Sequence, residues 1–355
     1  MKKHIHGGDI YQYTDILDFS ANINPLGTPE SVKEAVRISA DSMEHYPDVK
    51  CRKLIKALSD YEQVPESWLI CGNGAADLIF ALVLALRPKK ALILAPTFAE
   101  YEQALKNVDC ETNYYYLTEP EKFRLTERFL SEITPDLDMV FLCNPNNPTG
   151  ELTDRKLLSE ILKECRDKQV FLAVDECFLD FVPDGANYEL KAYLENFQNL
   201  FLLKAFTKRY AMAGIRLGYG LCSDTGVLEK MEEATQPWRV STAAQAAGTA
   251  ALSETAYTKD SVRYVKEQKD VLKRALLDAG FQVFGSRANY LFFKAPERFD
   301  EHCLHNRVLI RNCENYEGLS GGWFRIAVRT EEENKIFIKI LKAFAKGDMP
   351  WQRPS

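Results

Sequence analysis

Lys208 follows a continuous apolar run, NLFLL at 199–203, and Arg216 stands eight residues further on, at the start of a second short apolar stretch, RLGYGL. The first run does not alternate and reads as a buried strand, which puts the lysine at the strand's exit. Burial disfavours the charged form of a lysine, and the neutral amine is the nucleophile that forms a Schiff base with an aldehyde. Taken alone, Lys208 reads rather as a surface lysine in a loop, as most lysines are. The other groups that an aldehyde cofactor requires decide between the two.

Those groups stand at the ends of other apolar runs. Gly72-Asn73-Gly74 joins the run WLIC to a long apolar helix, a turn in which backbone N–H groups and the positive helix end can hold a phosphate. The same residues also serve any tight strand-to-helix turn. Phe98 follows ALILAP, Asn147 lies in NPNNPTG after DMVFLCN, and Asp175 ends QVFLAVD. A carboxylate at the end of an apolar strand is costly unless paired, and a protonated pyridine nitrogen would pair it; a helix cap is the other reading of Asp175. Together a ring stacker, a hydrogen-bond donor, a buried carboxylate, an amine, an arginine and a phosphate-cradling turn (Gly74, Ala75, Ala76) are the parts that pyridoxal phosphate needs.

Strands and helices alternate from Lys90 to Arg216, as in a mostly parallel, doubly wound sheet, and ligands of such sheets bind outside the carboxyl ends of the strands. Beyond Trp238 the pattern changes to helices and then to the strands FQVFG, ANYLFFKA, VLIRNC and GWFRIAVR, closed by a helix over 331–346. The expected fold is α/β, a large domain over 41–238 with a smaller α+β domain over 239–355, the latter completed by an N-terminal segment over 1–40. In that segment Thr28 before Pro29-Glu30 is expected to cap a helix, and His6 is either a ligand group or a residue of a solvated tail.

The composition of the 355 residues is that of a globular protein. A net charge of -6 and the lack of a basic stripe give no footprint for nucleic acid. The longest apolar run, 78–86, is broken by Arg87-Pro88 and is too short for a membrane span. The basic start MKKHIHGGD lacks the apolar segment of a signal peptide, so a cytoplasmic location is expected. Nine cysteines without CxxC spacing argue against both a disulfide framework and a metal site.

NNPTG at 146–150, Asp175-Glu176, Thr207-Lys208, AGIRLGY at 213–219 and WFRIAVR at 323–329 resemble the fold-type I aminotransferase-like enzymes over nearly the whole chain. The resemblance implies pyridoxal 5′-phosphate as cofactor, with Lys208 as its Schiff-base lysine, Asp175 on the pyridine nitrogen, Asn147 on the ring hydroxyl and Phe98 stacked on the ring. Gly74, Ala75, Ala76, Thr207 and Arg216 would hold the cofactor phosphate, with Tyr46 reaching in from the second subunit of a homodimer. Two positions depart from the pattern: Phe178 stands where the family often has tyrosine, and Ala205 where it often has serine or threonine.

Within the superfamily, HYP, PTF and RIAV are compatible with histidinol-phosphate aminotransferases. HGGD, DFSANINPLG, PTFAEY, TPDLD, QPW, RANYL and LIRNCENYEGL resemble the threonine-phosphate decarboxylases of cobalamin biosynthesis. The second resemblance implies a small phosphorylated amino acid as substrate, with His6, Arg311 and Arg329 toward its phosphate end, Arg325 toward its carboxylate, and Asn22 also among the substrate-binding residues. Clustered cations are the expected anchor for a dianion, arginine being suited to bidentate contact; Arg311 and Arg329 also read as strand-end surface arginines. A binding module that kept the fold and lost the chemistry would lack the lysine or the aspartate, and neither is missing.

Overall fold

The structure, a computed structural model, describes residues 6–346. The strands are β1 Leu17–Asp18, β2 Leu69–Gly72, β3 Lys90–Ala95, β4 Glu111–Tyr116, β5 Met139–Cys143, β6 Phe171–Asp175 and β7 Leu200–Ala205. They continue with β8 Gly218–Leu221, β9 Gln282–Phe284, β10 Tyr290–Lys294, β11 Val308–Leu309, β12 Arg311–Asn312 and β13 Trp323–Ala327.

Seven of them form one sheet in the order β2-β8-β7-β6-β5-β3-β4. The pairs from β7 to β4 are parallel, and β8 is antiparallel to both its neighbours. The central strands read as unbroken apolar runs because both faces are covered. Leu92, Leu94, Val140, Leu142, Leu172 and Leu202 enter one buried cluster, and their alternates Ile93, Phe141, Ala173 and Leu203 enter the other. That alternation is the two-residue period of a pleated strand. The register sets Cys143 beside Asp175, and Asp175 beside Leu203 of β7. Parallel strands in register end on one edge, so their exits face a common space.

A second sheet, β12-β13-β10-β9, is antiparallel, and β1 pairs in parallel with β11. VLIRNC, expected as a single strand, is two: the chain leaves β11 at Leu309 and joins the other sheet at Arg311. The switch makes Arg311 the register partner of Arg325. The N-terminal segment is tied to the segment around Lys208, since Asn24 donates its backbone N–H to Lys208 O (3.1 Å) and its amide to Arg209 O (2.7 Å). Thr28 takes part in the same seam. Its hydroxyl donates to Ala211 O at 2.7 Å, so it does not cap the helix Glu30–Ser39, whose N-cap position is Pro29.

The helix Arg155–Asp167 begins at Asp154, whose carboxylate accepts from Leu157 N at 2.9 Å. The closing helix, Glu331–Ala345, begins with a reciprocal capping box between Thr330 and Glu333. All nine cysteines are buried free thiols. Among the described residues no helix is long and apolar enough to cross a membrane.

Candidate active site

A cavity of about 530 Å³ opens at the exits of β3, β5, β6 and β7. Asp175, the last residue of β6, lies on its floor, buried and held at both oxygens. Tyr101 donates its hydroxyl to Oδ2 at 2.6 Å, and Cys177 donates its backbone N–H to Oδ1 at 2.9 Å. Burial pushes this carboxyl above its ordinary range, and the hydrogen bonds from Cys177 and Tyr101 oppose the shift. An acceptor-only group in such a place is ready for one strong cationic donor. Phe98 lines the same cavity and meets the Tyr101 ring edge-on at 5.6 Å between centroids.

Lys208 lies in the short helix Phe206–Arg209 directly after β7. Its ammonium is pulled down to about 8, first by burial and then by the positive charges of Arg325 and Arg216. An amine with that value presents a usable neutral fraction near neutral pH. Beside it the helix Ala75–Leu86 starts at Gly74 with no side chain capping its N-terminus, so its first N–H groups are available to a ligand. Ala75, Ala76, Thr207 and Arg216 all line the cavity.

The backbone of this corner leaves no room for side chains. A Cβ on Gly74, whose φ is +88°, would lie 2.5 Å from Arg216 Nη2, and one on Gly218 would lie 2.6 Å from Ala75 N. Glycine at both places lets the arginine and the helix N-terminus converge on one point, as a phosphate cradle requires. With the buried amine and the buried carboxylate, this donor set fits pyridoxal 5′-phosphate.

Asn147 is buried and accepts from Arg325 Nη1, while Arg325 Nη2 donates to Ser20 O at 2.9 Å. Asn22 also lines the cavity, and its Oδ1 is buried with no hydrogen-bond partner among the described residues. Arg311 enters from the neighbouring strand. It is 6% exposed, Arg325 is 5% exposed, and Arg311 lies over the Tyr316 ring at 5.2 Å. His6 reaches the rim, where its Nδ1 lies 3.3 Å from Glu100 Oε1.

Three expected residues do not line this cavity: Gly74 bounds it through the turn before Ala75, and Arg329 and Tyr46 are not brought to it. Arg329 is held away from it: β13 ends at Ala327, and Arg329 Nη2 donates to Glu333 Oε1 at 2.9 Å beside the capping box. Tyr46 is 78% exposed on the surface of its own chain, stacked on Trp238 at 4.6 Å. Phe178 and Ala205, the two departures from the family pattern, do line the cavity.

Sequence reasoning passed over Tyr101, Glu100, Ser20 and Tyr316. Tyr101 was within reach of it, standing three residues after Phe98 in FAEY, and residues at that spacing share a helix face. Ser20 meets Arg325 through its carbonyl, a contact to which its residue type is no guide.

The description of the aminotransferase class I and II family matches residues 14–341. The threonine-phosphate decarboxylase of Salmonella typhimurium is 38% identical over 358 residues, an alignment that covers 97% of this chain and 98% of the relative. The crystal structure of the histidinol-phosphate aminotransferase from Clostridium acetobutylicum superposes with a TM-score of 0.87 at 29% identity, over 94% of this chain and 100% of the other. That of L-threonine-O-3-phosphate decarboxylase from Porphyromonas gingivalis gives 0.82 at 23% identity, over 93% and 100%, a likeness of fold alone. A match of this extent makes the chain a member of the aminotransferase class I and II family, whose enzymes depend on pyridoxal 5′-phosphate.

Proposed function

We propose that this enzyme decarboxylates L-threonine O-3-phosphate to (R)-1-amino-2-propanol O-2-phosphate and carbon dioxide, a step of cobalamin biosynthesis. The observation that carries the reading is the pairing of Arg311 with Arg325. They are register partners on adjacent strands, both buried, and both line the cavity. Like charges set opposite each other in a sheet repel, and burial sharpens the cost. A ligand with two anionic groups relieves it, and threonine phosphate offers a carboxylate and a phosphate. Histidinol phosphate offers only the phosphate. The full-length relative at 38% identity supports the same substrate.

In this reading pyridoxal phosphate, when bound through Lys208, supplies an electron sink for whichever bond to Cα stands perpendicular to its ring. Thr207, Arg216 and the first N–H groups of the helix Ala75–Leu86 would hold its phosphate, with Phe98 against its ring and Asn147 toward its ring hydroxyl. Asp175, fixed by Tyr101, would keep a proton on the pyridine nitrogen. Arg325 receives the substrate carboxylate, while Arg311 and His6 hold the phosphate end and so fix the rotation about the bond from nitrogen to Cα. Lys208 carries the proton delivered to Cα once carbon dioxide has left. The exposed, stacked Tyr46 and Trp238 support a homodimer in which Tyr46 completes the partner's site.

Transamination of histidinol phosphate or a related amino acid with 2-oxoglutarate is the second reading. The Arg325–Asn147 bond favours it, because it holds the arginine beside the position of the ring, where it would clamp the carboxylate of 2-oxoglutarate or of a related amino acid near the ring plane. A product assay decides between them. Purified protein with pyridoxal phosphate is expected to release carbon dioxide and aminopropanol phosphate from O-phospho-L-threonine alone. Glutamate from histidinol phosphate and 2-oxoglutarate, with nothing from threonine phosphate, would overturn the proposal.

A further inference from the structure

The helix Ala99–Lys106 presents Glu100 to the cavity from its first turn, between Phe98 and Tyr101. The cofactor-binding groups make no use of this carboxyl. Its side chain is 12% exposed, and Oε2 is buried with no hydrogen-bond partner among the described residues. Burial pushes the carboxyl up to about 7, with Asp175 adding to the shift and Lys208 and Arg311 opposing it. A carboxyl kept in such surroundings is expensive unless it is used.

The contact that uses it is with His6. Oε1 lies 3.3 Å from Nδ1, although the histidine side chain is 55% exposed and stands near the start of the described chain. The backbone after His6 is anchored so as to bring the imidazole there. Gly8 N donates to Ser20 Oγ at 2.7 Å, and Gly7 lies so close to Ser20 that a Cβ would fall 2.3 Å from its carbonyl oxygen. The same carbonyl accepts from Arg325. His6 is thereby tied at its backbone to the arginine side of the cavity and at its ring to Glu100.

We propose that Glu100 is a positioning residue for recognition of the substrate phosphate: its carboxylate holds Nδ1 of His6, which turns Nε2 toward a phosphate bound beside Arg311. Fixing an exposed side chain in one rotamer costs conformational entropy. Glu100 meets that cost before the substrate arrives, so its removal weakens binding of the phosphate and leaves the bond-breaking step alone. The proposal rests on a phosphorylated substrate, which both readings of the reaction share.

The test is steady-state kinetics of the holoenzyme with the wild type, Glu100→Ala, Glu100→Gln, His6→Ala and the Glu100→Ala/His6→Ala double variant. The substrate is O-phospho-L-threonine, or histidinol phosphate if that is what the wild type turns over, and inorganic phosphate serves as competitive inhibitor. Loss of the contact that orients His6 is expected to raise KM, and the inhibition constant of inorganic phosphate, about tenfold in Glu100→Ala, with kcat within about twofold. Glu100→Gln keeps an oxygen that accepts from Nδ1–H and is expected to recover most of the loss. The double variant is expected to match His6→Ala, because the two residues act as one unit. Additive losses, an unchanged phosphate inhibition constant, or a fall in kcat with KM unmoved would overturn the role of Glu100. A wild type that turns over neither phosphorylated substrate would strike the substrate reading itself, a result distinct from the other three.

Discussion

Lys208 is both the proposed point of attachment for the cofactor and a charge the fold pays to bury. Its pKa falls from 10.5 to about 8, burial being the first cause and Arg325 and Arg216 the next. Below about pH 8 the folded and unfolded chains both carry the proton, so the full cost of burying the cation falls on the folded state. Between about 8 and 10.5 the unfolded chain keeps a proton that the folded chain has released, and stability rises with pH. Cofactor-free wild type compared with Lys208→Met is therefore expected to be the less stable protein at pH 7, and to gain of the order of 3 kcal/mol on it by pH 10.5. Denaturant titrations at a series of pH values measure this, and parallel stability curves would contradict it. Asp175 was legible in the sequence because it is a polar residue at the end of an apolar run, and Lys208 because it stands beyond such a run in the Thr207-Lys208 pair that carries the family resemblance. Tyr101 and Glu100 were not, since nothing in an ordinary amphipathic helix marks the residues that turn toward a ligand.

Arg325 and Arg329 show how an element, rather than a residue type, decides function. Both belong to WFRIAVR, and four residues along a continuing strand would return to the same face. The strand stops at Ala327, however, and the capping box of Thr330 and Glu333 opens the next helix and recruits Arg329. The capping residues were visible in the sequence, but which of strand and helix would claim the arginine was not. Arg329→Ala is therefore expected to leave KM for the phosphorylated substrate within about twofold, and to lower stability by about 1 kcal/mol, as loss of a partly exposed ion pair does. Arg311→Ala is expected to raise that KM by at least tenfold, since it strips a buried cationic partner from the dianion. Equal kinetic losses in the two variants would return Arg329 to the site.

The molecule as a whole gathers residues from across the described chain, from His6 at one end to Arg325 near the other, into one cavity. The mostly parallel character of the large sheet and the common edge on which its strands end were readable from the alternation of apolar runs with helices, whereas the order of the strands was not. The break of VLIRNC between two sheets was not, because a strand that changes sheets keeps its apolar character throughout. The proposed homodimer makes a prediction of its own. Tyr46→Ala and Lys208→Ala subunits, each poorly active or inactive alone, are expected to regain activity when refolded together, because the mixed dimer rebuilds one intact site from Lys208 of one subunit and Tyr46 of the other. Activity no greater than the sum of the separate variants would place the whole site within one chain.

The choice between decarboxylation and transamination turns on which bond to Cα is broken, and solvent deuterium reads that directly. O-phospho-L-threonine turned over in deuterium oxide with 2-oxoglutarate present as amino acceptor, and followed by proton NMR, is expected to give aminopropanol phosphate with one deuterium and one original hydrogen at C1, while the remaining substrate keeps its Cα hydrogen. Exchange of that hydrogen in recovered substrate, with a keto acid in place of the amine, would show that the Cα–H bond is the one held perpendicular to the ring.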